Sequence, residues 1–287
     1  MGSNSLTLRE PKEKAAFPVR ETEATAEGKV SSNVGDAIRP RIRVEGSANT
    51  FELGGELSHL GVIIDGNRRY AKNNDIELEE AYARGAYKVY AVIRHVFEET
   101  MIREMSIYAI SQENLLRESK ELDAMLTIQK QTFDKWASDP FFKEKGIRIR
   151  FVGERSALPA EFLKSCEALE EMTAQNKDRT LNMLVAYAGR REISAAVKGI
   201  LRDAISKGTD IKGMDVERLI AENLSVREPV DLIIRTAGGH RLSGFLPWQS
   251  HYAEIIAIDK LWPEVEMEDI DRAIIRFCEI NKTKHGL

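Results

Sequence analysis

The sequence predicts a single α/β domain with a mostly parallel six-stranded sheet flanked by helices, and three observations lead there. Short apolar runs recur at Gly61–Asp65, Met105–Ile110, Ile147–Val152, Leu181–Tyr187, Asp231–Thr236 and Glu254–Ile258, the length and texture of strands buried on both faces. Between them apolar residues follow a helical period. Strands separated by helices are joined by crossovers, which makes neighbours parallel.

Taken in order, residues 1 to about 45 hold many charges with Ser, Thr, Gly and Pro, few large apolar side chains and no lasting period. They read as a disordered arm ahead of a domain spanning 46–287. The first strand ends in Asp65-Gly66-Asn67-Arg68-Arg69, a turn that opens a helix. Tyr82, Gly85, Ala86, Val89, Ile93 and Val96 then fall on one helical stripe. Ile193, Val197, Ile200, Leu201 and Ala204 make a second, and Ile270, Ala273, Ile274, Phe277 and Cys278 a third.

Composition narrows the function. The chain has 287 residues, 43% apolar and 31% charged, with a net charge of −4. That balance argues against a broad nucleic-acid surface, so local basic clusters need local anions. Cys166 and Cys278, the two cysteines, sit inside helical patterns and indicate neither a disulfide framework nor a thiolate metal site. No run approaches the roughly 18 apolar residues of a membrane span, and no signal-peptide region is evident. A reducing, cytoplasmic home with at most peripheral membrane contact is expected.

The chemistry gathers where strands end, as ligands do in open parallel sheets. Asp65 precedes a helix start whose free N–H groups attract anions, and Arg68 and Arg69 add charge there. A carboxylate beside a phosphate calls for a divalent cation between them, which points to a metal-assisted diphosphate site. Asp-Gly-Asn is also ordinary turn chemistry. Further strand ends carry Ser111-Gln112-Glu113-Asn114 with Arg117, Gly189-Arg190-Arg191, and Arg235 through Arg241 and Ser243. Several guanidinium groups on one rim suit two polyphosphate ligands.

From about residue 58 onward the chain resembles the cis-prenyltransferases, the family of undecaprenyl and dehydrodolichyl diphosphate synthases. The motifs are His59-Leu60-Gly61 through Asp65-Gly66-Asn67-Arg68-Arg69-Tyr70-Ala71-Lys72, Tyr108-Ala109-Ile110-Ser111-Gln112-Glu113-Asn114, Leu181-Asn182 through Gly189-Arg190, Asp231 through Thr236, Arg241 through Gln249, Tyr252-Ala253-Glu254 and Leu261-Trp262-Pro263. The resemblance implies a homodimeric enzyme that joins an allylic prenyl diphosphate to isopentenyl diphosphate with Mg²⁺ and releases pyrophosphate. It implies Asp65 as the central acid and a metal ligand with Glu254, aided by His240, and Asn114 beside the reacting carbons. It gives the first diphosphate to Gly66, Asn67, Arg68, Arg69 and Arg117, places Arg190 at the phosphates, and gives the second diphosphate to Arg235, Arg241 and Ser243. Tyr82, Ala86, Val89, Ile93, Leu115 and Leu116 would wall the prenyl tail, and Lys284-His285-Gly286 resembles a tail that crosses the dimer.

Departures from the family pattern cluster at the phosphates. Leu78, Ala81 and Tyr82 stand where an arginine and a Gly-His pair are usual, Gly239 replaces a glutamate, and Gly244 an asparagine. Losing the guanidinium and imidazole costs roughly 1–3 kcal/mol of diphosphate binding unless compensated, with Arg68 and Arg84 as candidates. Short products or an unusual acceptor, another allylic diphosphate or an alcohol, are therefore expected. A non-catalytic partner subunit and a nucleotide hydrolase stay open as alternatives. The second is weakened because no Gly-x-x-x-x-Gly-Lys-Ser/Thr motif occurs.

Overall fold

A computed structural model describes residues 41–43, 50–52 and 57–284. Strands β1 (Arg41–Arg43) and β2 (Thr50–Glu52) form an antiparallel ladder. That ladder crosses the boundary expected at residue 45. The rest of the expected arm, and the residues from His285 onward, lie outside the described residues.

The remaining elements in chain order are β3 (His59–Ile63), α1 (Asn67–Asn74), α2 (Leu78–Glu99), β4 (Glu104–Tyr108), α3 (Ser119–Trp136), α4 (Phe141–Glu144), β5 (Ile147–Val152), α5 (Ala160–Met172), β6 (Arg179–Leu184), α6 (Gly189–Lys207), α7 (Val216–Asn223), β7 (Leu232–Arg235), β8 (Glu254–Ala257) and α8 (Met267–Lys284). All six expected strands form, each ending one to three residues before the apolar run does, apart from β5, which matches its run. The strands are parallel in the order β5-β6-β4-β3-β7-β8.

Strand alternation sorts the side chains into two layers. Leu60, Val62, Met105, Ile107, Leu181 and Met183 join the core with α2, α3, α5 and α8, while Ile63, Tyr108, Leu184 and Ile233 meet Tyr187, Phe245 and Leu246 on the other face. The helical stripes pack as expected, with one correction. Leu201 is 51% exposed, and Ala196 joins Ile200 and Ala204 inside.

The sheet's second face also holds a polar chain at the amino ends of the strands. His59 Nδ1 sits 3.1 Å from the carbonyls of Glu228 and Pro229, so it carries the proton and donates. Nε2 then accepts from Ser106 Oγ at 2.7 Å, and Asn182 Nδ2 donates to Ser106 Oγ and to Glu104 Oε1. Burial lowers the pKa of His59, which keeps it neutral.

Candidate active site

Neighbours β4 and β7 flank β3 on opposite sides, reached by connections that diverge from it. A crevice opens at such a point beyond the strands' carboxyl ends, and Asp65 stands there. The chain leaves the sheet after Ile63 and is pinned by Thr236, whose Oγ accepts from the Asp65 N–H at 2.8 Å and donates to the Asp65 carbonyl at 2.7 Å. Trp262, fully buried, donates its backbone N–H to the Asp65 carbonyl and its indole N–H to the Gly85 carbonyl.

Gly66 caps α1 at φ +117, with no side chain capping the helix. Only glycine adopts that conformation freely, and a Cβ there would sit 3.0 Å from Leu261. The open first turn of α1 thus faces the crevice with its N–H groups uncapped by a side chain.

Behind it lies a cavity of about 790 Å³, within the usual size range of small-molecule sites. Its mouth carries Asp65, Gly66, Asn67, Arg68, Arg69, Asn114 and Arg117, and its interior is lined by Ala86, Val89, Met125, Phe133, Trp136 and Met183. At the inner end Phe133 and Trp136 pack at 5.6 Å between ring centres, backed by Phe142, Phe151 and Tyr90. A charged mouth and a largely apolar interior with Phe133 and Trp136 in its lining suit an amphiphile with an anionic head.

The mouth is wired across its two sides. Asp65 Oδ2 accepts from Arg235 Nη2 at 3.0 Å, and Arg69 Nη2 lies 4.0 Å from Asp65 Oδ1 while donating to the Ala237 carbonyl. Buried Arg235 also donates through Nη1 to Ser243 Oγ at 2.8 Å and to the Arg241 carbonyl, and its Nε has no partner among the described residues. A Cβ at Gly239 would overlap that Nε. The loop around them holds Ala237, Gly238, Ser243, Gly244 and Leu246 in left-handed conformations. Asn114 is folded against Ser111, its Oδ1 accepting from the Ser111 N–H at 3.0 Å.

The sequence-predicted residues separate into three groups. The residues at the mouth share one cavity, and Arg235 and Ser243 join it through Asp65. Arg190 lies exposed in the first turn of α6, which is tied to the same loop by Gly189 N–H donating to the Gly244 carbonyl at 3.0 Å. Exposed Arg241 contributes its carbonyl to Arg235. Glu254 is elsewhere: it pairs in register with Leu232 and through it with Leu60, five residues before Asp65, about 16 Å along the strands. The expected metal pair of Asp65 and Glu254 is therefore not assembled within one chain. No group of three His, Cys, Asp or Glu able to hold a metal occurs among the described residues.

Tail-wall expectations are corrected as well. Tyr82, Ala86 and Val89 line the cavity, but Ile93, Leu115 and Leu116 do not, and Leu116 is 86% exposed. The opposite wall, Met125, Gln129, Thr132, Phe133 and Trp136 on α3, was missed. Their spacing of three to four residues was the available signal. Of the two candidate compensations, Arg84 turns to Glu80 and Tyr70, while Arg68 Nε reaches Glu121 at 3.4 Å.

Fold and site define an α/β enzyme that handles a substrate with an anionic head and an apolar tail. The prenyltransferase family model, described as undecaprenyl diphosphate synthase, matches residues 63–285, and the chain belongs to that family and is a prenyltransferase. It is 36% identical over 213 residues to the tritrans,polycis-undecaprenyl-diphosphate synthase (geranylgeranyl-diphosphate specific) of Pyrobaculum aerophilum, covering 74% of this chain and 89% of that one. The isoprenyl transferase of Thermus thermophilus is 34% identical, over 75% of this chain and 84% of its own. Among solved structures, lavandulyl diphosphate synthase from Lavandula x intermedia, in complex with dimethylallyl diphosphate, matches with a TM-score of 0.72 and 26% identity, covering 77% of this chain and 95% of that one.

Proposed function

We propose that this chain is a Mg²⁺-dependent cis-prenyltransferase that condenses an allylic prenyl diphosphate with isopentenyl diphosphate and releases pyrophosphate, working in the cytoplasm as a homodimer. The observation that carries the reading is Asp65 at the charged mouth of a cavity with a largely apolar interior. The tail lies along Val89, Met125 and Phe133. The first diphosphate meets the N–H groups of Gly66 to Arg69, with Arg68, Arg69 and Arg117 around it, and these fixed donors neutralise the charge that grows as pyrophosphate leaves. Asn114 borders the reacting carbons, and Asn67 serves the first diphosphate through its backbone N–H. On the other side Arg235, Arg241 and Ser243 receive the second diphosphate, with Arg190 at the border of the phosphates.

The donor set suits Mg²⁺ carried in with a diphosphate. A single half-exposed carboxylate, Asp65, is enough for an ion that keeps water and phosphate oxygens as its other ligands. When bound it supplies charge neutralisation of the leaving group. The bulk of Phe133 and Trp136 in the cavity lining supports short products, and Gly239, which adds no carboxylate beside Arg235, supports an altered acceptor side. Edge strand β8, with Ile255 exposed on it and Tyr252 exposed in the turn before it, is the edge that pairing of two copies would cover.

The test supplies purified protein and Mg²⁺ with labelled dimethylallyl, geranyl, farnesyl or geranylgeranyl diphosphate, with and without isopentenyl diphosphate, beside an Asp65→Ala control. Products that grow by five-carbon units with isopentenyl diphosphate are expected. Products formed without it would replace the acceptor, and no product in any mixture would overturn the reading.

A further inference from the structure

Tyr82 is 8% exposed on the cavity side of α2, and its hydroxyl stands between two charged groups contributed by another part of the chain. Arg117 Nη1 donates to Tyr82 Oη at 2.8 Å, and Tyr82 donates in turn to Glu121 Oε1 at 2.9 Å. The same Arg117 nitrogen lies 3.0 Å from Glu121 Oε1, which closes a triangle. Its contact with Met125 Sδ at 3.9 Å also runs through Nη1. Every hydrogen bond of the Arg117 side chain among the described residues therefore uses one nitrogen. Nη2 and Nε are left for the cavity that Arg117 lines together with Asp65 and Asn114.

Such an arrangement needs a restraint. Arg117 follows a 3₁₀ turn with extended backbone, at φ −69 and ψ 163, and is not held in a helix. A long side chain loses rotamer freedom when it is fixed. A hydroxyl that accepts from Arg117 while donating to Glu121 fixes it from the wall opposite α3. Burial pushes the Tyr82 phenol up to about 12, so it remains a donor at neutral pH. Glu121, 11% exposed at its side chain, is satisfied by Tyr82, Arg117 and, at the rim, Arg68, so its charge is turned inward.

We propose that Tyr82 is a positioning residue: it holds Arg117 by Nη1 so that Nη2 and Nε face the diphosphate of the first substrate, and it thereby sets the affinity for that substrate. The proposal rests on the reading that this cavity takes the allylic diphosphate.

Tyr82→Phe keeps the ring and its packing and removes only the hydroxyl. Initial rates are measured with saturating isopentenyl diphosphate and whichever allylic diphosphate, from dimethylallyl to geranylgeranyl, the wild type uses best. The expected result is a rise of about five- to tenfold in the allylic KM, with kcat changed by less than about twofold and the isopentenyl KM unmoved. In an Arg117→Ala background the same substitution should add nothing, because its effect passes through Arg117. An unchanged allylic KM, or full additivity in the double variant, overturns the proposal. If the wild type transfers no prenyl group, the underlying reading fails instead. Calorimetric binding of inorganic pyrophosphate with Mg²⁺ then decides the positioning claim: weaker binding by Tyr82→Phe supports it, and equal binding overturns it.

Discussion

The two sides of the Asp65 crevice are built by different means. On the cavity side, α2 and α3 pack against the sheet with their apolar stripes burying one another, α1 packs on α2 and Leu261, and Gly66 is the one left-handed residue at the mouth. On the other side, the loop after β7 places Ala237, Gly238, Ser243, Gly244 and Leu246 in left-handed conformations within ten residues. Each non-glycine residue there costs of order 1–3 kcal/mol, and the bonds from Arg235 to Ser243, Arg241 and Asp65 hold the loop in place. One side is a wall whose depth is set by side-chain volume. The other is a strained clasp whose position hangs on one buried guanidinium.

The largest expected effect removes what the two sides share. Asp65→Asn keeps the backbone bonds to Thr236 and Trp262 but withdraws the carboxylate, and should lower kcat/KM for both substrates about 10³-fold with little change in melting temperature. A loss confined to one substrate would break the symmetry assigned to this residue. Next, Trp136→Ala opens the inner end of the cavity. It should cost about 3–5 kcal/mol in urea unfolding and shift products toward longer chains by mass spectrometry, leaving the acceptor KM alone. Unchanged product length would mean that the wall does not measure the tail.

Much of the wall was legible in the sequence because helical periodicity and strand runs report burial directly. Tyr82, Ala86 and Val89 were found this way. Met125, Gln129 and Trp136 were not, because α3 carries a weaker apolar pattern, and which face of it meets the cavity depends on how α2 crosses it. The clasp was legible only as residue types. Arg235 ends a strand and Ser243 lies in the loop after it, but their mutual bond arises from left-handed turns that leave no periodic trace. Glu254 shows the cost of reading residues without register: it lies near the start of its strand, where Asp65 lies beyond the end of one.

A smaller effect sharpens the picture of the clasp. Gly239→Ala places a methyl against Arg235 Nε and should raise the acceptor KM about tenfold while leaving the allylic KM within about twofold. An equal rise in both would mean that the two sides are mechanically coupled.

The smallest effect lies outside both sides. His59 is buried neutral, with its pKa lowered chiefly by desolvation. Its contribution to stability is present above the ordinary histidine value of about 6.5 and is lost as pH falls below it. His95, hydrogen-bonded to Asp271 at 2.6 Å with its pKa raised by that bond, contributes in the opposite sense, fully below 6.5 and less as pH rises. In His95→Gln, the urea midpoint should therefore fall between pH 7 and 5.5, with the ratio of the two substrate KM values unchanged. A midpoint that rises on acidification would contradict the neutral assignment of His59.

The division between wall and clasp is tested most directly by varying both substrates in initial-rate measurements on Arg117→Ala and Arg235→Ala. The predicted result is a crossed pattern: Arg117→Ala raises the allylic KM about ten- to a hundredfold, and Arg235→Ala does the same to the acceptor KM, each sparing the other substrate. Equal rises in both constants for either variant would contradict the assignment of one diphosphate to each side.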